Sequence, residues 1–432
     1  MKKIFDIEIH SKYSRACSRE LVLPNIAAWA KRKGVDVVGT GDFTHPGWFA
    51  HIGDALAEQG NGFLKLKEEF WPAADSGSRL AGLSEVNFIL SAEISSIYSH
   101  NGKVRRIHNL LLADSLEHAR EIAKKLESRG AKLGSDGRPI VGLPSKEILR
   151  LVLEVSEHCA LIPAHVWTPY FGLFGSMSGY DSVEECFEDL SGHVFALETG
   201  LSADPEMFWR ISKFDRFTLV SSSDAHSLPR IGRECNVFDF SESEFDYAHF
   251  LAALKNKDKD KFLMTLEYFP EEGKYHFDGH RACGISLHPS QTKKYKGICP
   301  KCGKKLTIGV LSRAEELSDR PEGYKLKGAI PGKHFVVLEE IIAAGMGKSV
   351  ASKKVQSQCM GITGSHSEFS VLFDLPREDL RKISSEAVAD AIMKMRAGEI
   401  EVVPGFDGEY GKIKLFERQK AGGAKLSQEL PL

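Results

Sequence analysis

The sequence lacks any apolar run that approaches the roughly 20 residues of a membrane-spanning helix. Its opening segment, MKKIFDIEIH, carries Asp6 and Glu8 where a signal peptide would be uniformly apolar. Only eight cysteines occur in 432 residues. These features favour a cytoplasmic protein whose cysteines serve as core residues or metal ligands, because cytosolic thiols are kept reduced.

Two nucleotide-binding signatures are also missing. No GxxxxGK[ST] phosphate loop occurs anywhere, which argues against an ATP-driven helicase and against a nucleotide cofactor. No glycine-rich fingerprint follows the first predicted strand, which argues against a dinucleotide-binding sheet. There is no internal repeat either, so a solenoid is not expected.

The near-neutral net charge of −2 conceals a division between the two parts of the chain. Residues 1–280 contain 32 Lys and Arg against 41 Asp and Glu, a charge of −9, whereas residues 281–432 contain 25 against 18, a charge of +7. This division suits a metal-binding body followed by a segment that contacts phosphates. Uneven solvated surface is the alternative interpretation.

Apolar, β-branched runs alternate with helical patterns through about the first 260 residues. The predicted strands are KIFDIEI, VDVVGTG, NFILSAE, RIHNLLLA, ALIPAHV, VFALETG, FTLVSSS and NVFDF. The predicted helices between them include PNIAAWAKRKG, DSLEHAREIAKKLESRG and PSKEILRLVLEVSEH. Repeated strand-then-helix units predict a parallel α/β sheet, either doubly wound or closed, and the missing fingerprint favours a closed barrel.

Changes in the pattern of predicted strands and helices divide the chain into four units. They are a barrel over 1–262, a zinc-binding module over 263–330, a small helical DNA-binding domain over 331–418 and a flexible tail over 419–432. Residues 43–86 are predicted to be an ordered loop inserted between strands. FVVLEEIIAAGMG and SSEAVADAIMKMRAG predict amphipathic helices in the third unit, followed by an extended segment at EIEVVPGFDGEYGKIKLF.

Acids and histidines follow or end all seven predicted barrel strands. Because the carboxyl ends of parallel barrel strands meet at one face, these side chains are expected to converge there. In Glu8-Ile9-His10 the two polar side chains point to the same face, since the strand period is two. Mixed carboxylate and imidazole ligands predict two or three divalent ions, with Zn, Mn or Fe favoured over Mg alone. The predicted ligands are Glu8, His10, Asp42, His45, Glu93, His108, His165, Asp224 and His226.

Each residue taken alone has a structural alternative. His108 could be a hydrogen-bonded core residue, and Asp42 or Asp224 could cap the next helix. Glu198 is the weakest member of the set and could only support a ligand through a hydrogen bond. Seven successive strand ends are much harder to explain by chance, so the metal centre is preferred.

A second metal site is predicted from the pattern HRACG…CPKCGKK. Cys299 and Cys302 form a CxxC knuckle, and Cys283 with His280 would complete four tetrahedral ligands for one structural zinc. His276 or His288 could replace His280. Three cysteines buried without metal remain the alternative.

Lysines crowd the second half of the chain, for example in TKKYK and GKSVASKK. Lys348 follows Gly345 and Gly347 between two predicted helices, where backbone amides and a lysine can meet a phosphate. Lys348, Lys353 and Lys354 are therefore predicted to contact nucleic acid. Solvated helix faces are the alternative for each one.

The barrel motifs resemble those of the polymerase and histidinol phosphatase (PHP) family of phosphoesterases. The matching segments are DIEIHS, GDFTH, Glu93, His108, PAHVWTP and SSDAHS, over residues 1 to about 260. The first motif of that family has His where this chain has Glu8, which puts the identity of one metal in doubt. The resemblance implies a distorted seven-stranded barrel with a trinuclear metal site.

Over nearly its full length the chain resembles the endonuclease Q family, on HRACG…CPKCGKKLTIGV, SKKVQ, PGFDGEYGKIKLF and GTGDFTHPGW. This resemblance implies a DNA repair nuclease that nicks on the 5′ side of deoxyinosine, deoxyuridine or an abasic site. Glu93, His165 and Asp224 are then the predicted catalytic residues, with Glu93 bridging two ions. Clustered ions can activate water and stabilise the departing oxygen, so no covalent nucleophile is needed.

Reading a lesion in a duplex requires extruding the base into a pocket. The aromatic loop WTPYFGLFGSMSG, with Tyr170 and Phe171, is a candidate for that pocket or for a hydrophobic lid. Arg230 is predicted to contact a phosphate or to form a surface salt bridge. Two other functions stay open: a phosphatase acting on small phosphomonoesters and a non-catalytic DNA-binding factor.

Overall fold

In the computed structural model, residues 1–72 and 83–415 are described. The tail predicted over 419–432, and residues 416–418 of the predicted helical domain, lie outside this range. The strands are β1 Lys2–Asp6, β2 Val37–Gly39, β3 Leu56–Glu58, β4 Leu64–Leu66, β5 Asn87–His100, β6 Lys103–Ala113, β7 Ile140–Val141, β8 Ala160–Pro163, β9 Ala196–Glu198, β10 Thr218–Val220, β11 Cys235–Asp239, β12 Phe262–Glu267, β13 Asp278–His280, β14 Ile285–Leu287, β15 Gly332–His334, β16 Glu401–Val403 and β17 Lys412–Lys414.

Helices form within each of the predicted helical segments, but the one predicted over PSKEILRLVLEVSEH ends at Leu153 and does not continue to His158. Their bounds are α1 Leu23–Lys33, α2 Pro46–Ala55, α3 Leu116–Ser128, α4 Ser145–Leu153, α5 Val183–Phe187, α6 Pro205–Trp209, α7 Tyr247–Lys255, α8 Pro289–Lys294, α9 Val310–Leu317, α10 Leu338–Met346, α11 Lys353–Ile362, α12 Arg377–Ile383 and α13 Glu386–Ala397. Ser115 caps α3 by accepting the amide of His118, and Gly34 ends α1 in the left-handed conformation. None of the described helices combines the length and apolar character that crossing a membrane requires.

Backbone hydrogen bonds join seven strands into a closed circuit. β1, β2 and β5 are parallel neighbours, β6 connects β5 to β8, and β9 pairs with β10. The amide of Val166 links the end of β8 to Glu198 at 3.1 Å. The circuit closes where Asp224, after β10, donates its amide to the carbonyl of Glu8, after β1, at 3.0 Å. The acidic and imidazole side chains lie near these junctions.

The expectation of an all-parallel sheet was wrong for the middle of the circuit. β5 and β6 form one long antiparallel hairpin, and β6 and β8 are also antiparallel. The cause is the Asn101-Gly102 pair, in which both residues have positive φ, 51° and 72°. Such a two-residue turn matches the twist of a hairpin, so the chain reverses without a helix.

The predicted ordered loop over residues 43–86 also needs correction. It contains α2 and the antiparallel pair β3–β4, and β4 extends the main sheet by pairing with β5. Residues 73–82 of this segment lie outside the described range.

The predicted zinc-binding region contacts both the main sheet and the last hairpin of the described chain. The predicted boundary at residue 262 coincides with the start of β12, a strand of the main sheet that pairs with β11 and β15. The extended segment predicted after the helices forms the hairpin β16–β17. This hairpin packs on the predicted zinc-binding region, which comes before the helices in the chain. There Gly405 donates its amide to the carbonyl of Glu271 at 2.7 Å.

The helices α10 to α13 dock on the main body through a buried ion pair. Lys33, at the end of α1, reaches Glu368 at 2.7 Å, and both side chains are at most 5% exposed. The other oxygen of Glu368 accepts the amide of Leu338, the first residue of α10, at 3.0 Å. Tyr268 adds a hydrogen bond from its hydroxyl to Glu340 at 2.7 Å. Glu368 therefore both caps α10 and fixes it to α1.

Replacing Lys33 by Met should destabilise the protein by about 3 kcal/mol, because the Glu368 charge would stay buried without its partner. The double variant Lys33→Met/Glu368→Gln should recover most of this loss, since the amide still accepts the Leu338 N–H. Urea unfolding provides the measurement, with Lys124→Met as a control in an exposed pair with Glu121. A midpoint for Lys33→Met equal to that of the control would contradict the assignment.

Candidate metal centre

The carboxylate of Glu93, on β5, lies at the centre of the first group of possible ligands. Its Oε1 is in contact with Nδ1 of His108 and is 3.1 Å from Nε2 of His165. Its Oε2 accepts a hydrogen bond from Arg138 at 2.9 Å. Burial by itself would raise the pKa of Glu93, but His108, Arg138 and His10 lower it well below its usual value. Glu93 is therefore held as an anion.

A second group consists of His10, Asp224 and His226, whose ligand atoms lie within 4.8 Å of one another. Nε2 of His10 is 2.9 Å from Asp224 and 3.2 Å from Glu93, so His10 connects the two groups. Nδ1 of His226 is 2.8 Å from the carbonyl oxygen of Asp224. Because a carbonyl only accepts, Nδ1 carries the proton and Nε2 is left with a free lone pair.

Asp42 adjoins these groups but is already saturated with hydrogen bonds. Its Oδ2 accepts from the amide and hydroxyl of Ser11 at 2.7 and 2.6 Å and from the hydroxyl of Ser14 at 2.8 Å. Its Oδ1 is 3.2 Å from Nδ1 of His10. This arrangement orients the imidazole of His10 and turns its Nε2 toward Glu93 and Asp224, as carboxylates behind metal-binding histidines do.

His45 is a predicted ligand that belongs to neither group. Its Nδ1 accepts the amide of Trp48 at 3.3 Å at the start of α2, and its ring stacks on Tyr13 with centroids 4.2 Å apart. None of the groups of three or more ligands found among the described residues includes it.

Glu8 and Glu198 supply buried carboxylate oxygens that lack hydrogen-bond donors: both oxygens of Glu8 and one of Glu198. Both oxygens of Glu8 and Oε1 of Glu198 are buried with no hydrogen-bond partner, although each side chain is only 1% exposed. Burial, followed by the charges of Glu198, Glu93 and Asp224, raises the pKa of Glu8 well above its usual value. Glu198 also accepts the amide of His165 at 2.8 Å.

This donor set fits divalent cations. Two adjoining groups contain four imidazoles and the carboxylates of Glu93 and Asp224, and the nearby buried oxygens of Glu8 have no positive partner. Burying an anion without such a partner is costly, and a cation would remove that cost. Histidine and carboxylate ligands together suit Zn, Mn or Fe.

Three of the predicted ligands are held in a backbone conformation that residues other than glycine rarely adopt. Asp42, His165 and Asp224 have φ values of 49°, 26° and 46°. Residues in this region carry strain of about 1–3 kcal/mol each and cluster at functional sites. Neighbouring glycines make room for them: a Cβ on Gly200 would overlap the side chain of His165, and one on Gly137 would overlap Oδ2 of Asp42.

The predicted zinc ligands also come together. His280, Cys283, Cys299 and Cys302 form a group whose ligand atoms all lie within 4.8 Å of one another. Burial raises the pKa of Cys299, but backbone amides of Lys301 and Cys302 outweigh this and lower it to about 7. His276 and His288, the two alternatives, are absent from the group. Three thiols and one imidazole are a donor set typical of closed, structural zinc.

The predicted DNA contacts are distributed over two regions. Tyr170 is 50% exposed, while Phe171 packs on the ring of His108 with centroids 4.6 Å apart. Arg230 forms ion pairs with Glu340 at 3.3 Å and Glu339 at 3.6 Å, which corresponds to the salt-bridge alternative. Lys348, Lys353 and Lys354 are exposed around the turn between α10 and α11.

Sequence reasoning missed Arg138 and the hydroxyls that orient the ligands. Arg138 lies 45 residues from Glu93, in a loop without a recognisable motif. Thr168 accepts Nδ1–H of His165 at 3.0 Å and donates to the carbonyl of that residue, which leaves Nε2 for an ion. The serines of HSKYS and the threonine of HVWT follow predicted ligands closely, and that proximity was the available signal.

Replacing Gly137 by Ala should weaken binding of divalent metal by at least about tenfold, because the methyl group would displace Asp42, which orients His10. Gly142→Ala is the matched control, since a Cβ there meets nothing within 4 Å and neither glycine has a positive φ. Calorimetric titration of the metal-free protein with Mn²⁺ measures the difference. Equal affinities in the two variants would show that Asp42 is not part of the metal centre.

The helical region matches a known family. The model of the MJ0043 C-terminal domain matches residues 337–399, which contain α10 to α13. Two curated relatives are the Methanocaldococcus jannaschii protein MJ0043, 35% identical over 270 residues, and the Bacillus subtilis protein YqxK, 32% identical over 255 residues. Each alignment covers 59% of this chain, but only 32% and 60% of the respective relatives. The chain thus spans less than two thirds of either curated protein.

Two solved structures are similar over nearly the whole chain. The lesion-specific endonuclease PfuEndoQ from Pyrococcus furiosus is 31% identical, with a TM-score of 0.82 over 96% of this chain and 95% of that one. A structure of endonuclease Q in complex with a 27-mer duplex that has an abasic lesion at the active site is also 31% identical, with a TM-score of 0.81 over 96% and 97% of the two chains. This chain therefore belongs to the endonuclease Q family of endonucleases.

Proposed function

We propose that this chain is a metal-dependent DNA repair endonuclease that hydrolyses the phosphodiester on the 5′ side of a damaged nucleotide. The observation that carries the proposal is the convergence of Glu93, His10, His108, His165 and Asp224 in a chain similar to endonuclease Q over 96% of its length. The lesions are deoxyinosine, deoxyuridine or an abasic site. An abasic duplex lies at the active site of one solved relative.

The metal centre in this proposal comprises two or three divalent ions held by the predicted ligands, in a circuit of seven strands that corresponds to a distorted PHP barrel. Bound ions would supply Lewis acidity toward the phosphodiester. The carboxylates of Glu93 and Asp224, whose pKa values are lowered by the neighbouring histidines, would repel a phosphate by themselves, so substrate binding depends on their neutralisation.

Residues around the ligands prepare the site for this chemistry. Arg138 offsets part of the charge of Glu93 from the side opposite His108 and His165. Asp42 and Thr168 hold the two histidines His10 and His165 with Nε2 facing the centre. The ligands are therefore aimed before substrate arrives, which limits the reorganisation that the reaction requires.

The aromatic loop over residues 167–179 is proposed to contact the extruded nucleotide. Trp167 and Phe174 are buried, which fits the hydrophobic lid that was one of the two interpretations of this loop. Tyr170 is exposed and adjoins Phe171, which packs on His108. An exposed aromatic ring beside the metal centre can stack on a base that has left the duplex.

One structural zinc is proposed to be held by His280, Cys283, Cys299 and Cys302. DNA phosphates are proposed to be contacted by the exposed side chains of Lys348, Lys353 and Lys354. These lysines carry no ion pair among the described residues. Their turn follows Gly347, whose left-handed conformation ends α10 and exposes the start of α11. Arg230 contributes to docking through Glu340 instead.

Replacing Asp224 by Ala should reduce nicking of damaged duplexes by about a hundredfold or more, because loss of a ligand should cost at least as much as loss of its supporting contacts. Affinity for DNA should be retained, since the phosphate contacts are elsewhere. Nicking is measured on duplexes with an abasic site, deoxyuridine or deoxyinosine, with and without EDTA. Asp239→Ala, an exposed acid paired with the chain terminus, is the matched control.

The same assay separates the alternatives. Undamaged duplex and a small phosphomonoester are included as substrates. Hydrolysis of the phosphomonoester without nicking would indicate a phosphatase, and binding of damaged duplex without metal-dependent cutting would indicate a non-catalytic factor. Cutting that persists in Asp224→Ala would overturn the ligand set.

Replacing Cys302 by Ser should remove about one equivalent of zinc per chain, because a structural site loses its ion when a thiolate is lost. Zinc is measured by atomic absorption after dialysis against a chelator that strips weakly held ions. Cys359→Ser removes a thiol outside the group and should retain the zinc. A Cys302→Ser protein with unchanged zinc content would refute the structural site.

A further inference from the structure

A groove of about 590 Å³ lies between the turn end of the β5–β6 hairpin and the tip of the aromatic loop. Lys103, Arg105 and Arg106 of β6 form one side, and Ser178 of the loop and Arg313 of α9 form the other. The groove contains none of the predicted metal ligands and none of the residues predicted to contact DNA. Its function is therefore not explained by the features described so far.

Two polar side chains that line the groove are buried with an atom left unpartnered. Arg105 is 8% exposed, and its Nε has no hydrogen-bond partner. Ser178 is 6% exposed, and its hydroxyl also lacks a partner. Buried donors without acceptors are rare and cost about 1–3 kcal/mol each. Both atoms indicate that an acceptor-rich ligand completes the groove.

Arg105 is nevertheless held firmly in place. Its Nη1 donates to the carbonyl of Gly179, and its guanidinium lies over the ring of Tyr180, 3.9 Å from the centroid. These contacts fix the orientation of the guanidinium while leaving its Nε free. A fixed guanidinium with a free N–H is suited to charge-assisted hydrogen bonding with phosphate.

The charges of the groove favour an anion. Its two acids, Asp181 and Glu316, both pair with Arg313, which offsets one of their two negative charges. Lys103, Arg105 and Arg106 have no carboxylate within 4 Å among the described residues. Four basic side chains against two acidic ones leave the groove with a net charge of +2.

The groove is aligned with the metal centre. His108 lies on the same strand, two residues beyond Arg106 and three beyond Arg105, or on the order of 10 Å at about 3.3 Å per residue. DNA rises by about 3.4 Å per nucleotide along the duplex axis, so this distance spans at most about three nucleotide steps. The loop that borders the groove also accepts the amide of His108, through the carbonyl of Phe171 at 2.9 Å.

We infer that this groove is a phosphate-binding subsite that holds the backbone of the cleaved DNA strand a few nucleotides from the metal centre. Lys103 and Arg106 pair with phosphates, while Arg105 and the Ser178 hydroxyl donate hydrogen bonds to them. Met177 and Val104, 61% and 53% exposed, border the groove with apolar surface that sugars can contact. The inference rests on the proposed function, because it assigns the strand that the metal centre would cut.

The test compares Lys103→Gln/Arg106→Gln with wild type in binding to an abasic duplex. Fluorescence anisotropy is recorded in EDTA at several salt concentrations, so binding is measured without cutting. Each lost phosphate contact should reduce the slope of log affinity against log salt by about 0.9, and the double variant should lose close to two such units. Lys124→Gln/Lys259→Gln removes two exposed charges elsewhere and should leave the slope unchanged.

Ser178→Ala is the second variant, because it removes an uncharged donor. It should weaken binding severalfold without changing the slope, which separates the hydrogen bond from the charge. A Lys103→Gln/Arg106→Gln slope equal to that of wild type would overturn the inference.

Nicking by wild type with metal is assayed in parallel. If wild type nicks the damaged duplex but the slope for Lys103→Gln/Arg106→Gln is unchanged, the phosphate subsite is rejected and the nuclease function stands. If the slope falls but wild type never nicks, the phosphate subsite is supported and the nuclease function is rejected.

Discussion

The buried carboxylate of Glu93 is the group on which the rest of the metal centre depends, because it contacts residues from four separate segments. His10 follows β1, His108 lies on β6, Arg138 precedes β7 and His165 follows β8. A charge in the interior is tolerated only with well-placed partners. The positions of these four segments are therefore fixed relative to one another by the need to satisfy one anion.

That constraint explains why local strain is tolerated at the ends of the strands. Asp42, His165 and Asp224 hold positive φ angles, and each lies where a strand gives way to a loop that must turn its side chain inward. The backbone pairing between Glu8 and Asp224 and between Val166 and Glu198 fixes the chain beside Asp224 and His165. Beside Asp42, the amide of Phe43 donates to the carbonyl of Ser91 at 3.3 Å. The strain is then offset by closure of the circuit and by the contacts of the ligands with one another.

Strand period and strand ends are local properties, so the sequence could single out side chains that lie close together in the fold. Glu93, His108, His165, His10 and Asp224 were found in this way, and the structure brings them together. The antiparallel β5–β6 hairpin was missed although Asn101-Gly102 is a local signal, because the parallel arrangement expected from the other strand-then-helix units was extended to these two strands. Arg138 could not have been found, since only the folded chain places it beside Glu93. Similarly, the sequence could not show that Nε of Arg105 lacks a partner, because the loop that buries this side chain is brought to it only by the fold.

The predicted zinc group is linked to the metal centre through a continuous set of contacts. Two residues before His280, Asp278 accepts the amide of Gly309 at 2.6 Å and the hydroxyl of Ser312 at 2.5 Å, and so fixes the start of α9. From α9, Arg313 donates to the carbonyls of Phe174 and Tyr180 at 3.1 and 3.2 Å.

These carbonyls belong to the aromatic loop and to the residue that follows it. The same loop accepts the amide of His108 through Phe171 and supplies Ser178 and Met177 to the groove. These hydrogen bonds join the predicted zinc group to the loop that borders the groove and packs Phe171 on His108. The loop beside the predicted barrel ligands is therefore held in part by a region of the chain that contributes none of those ligands.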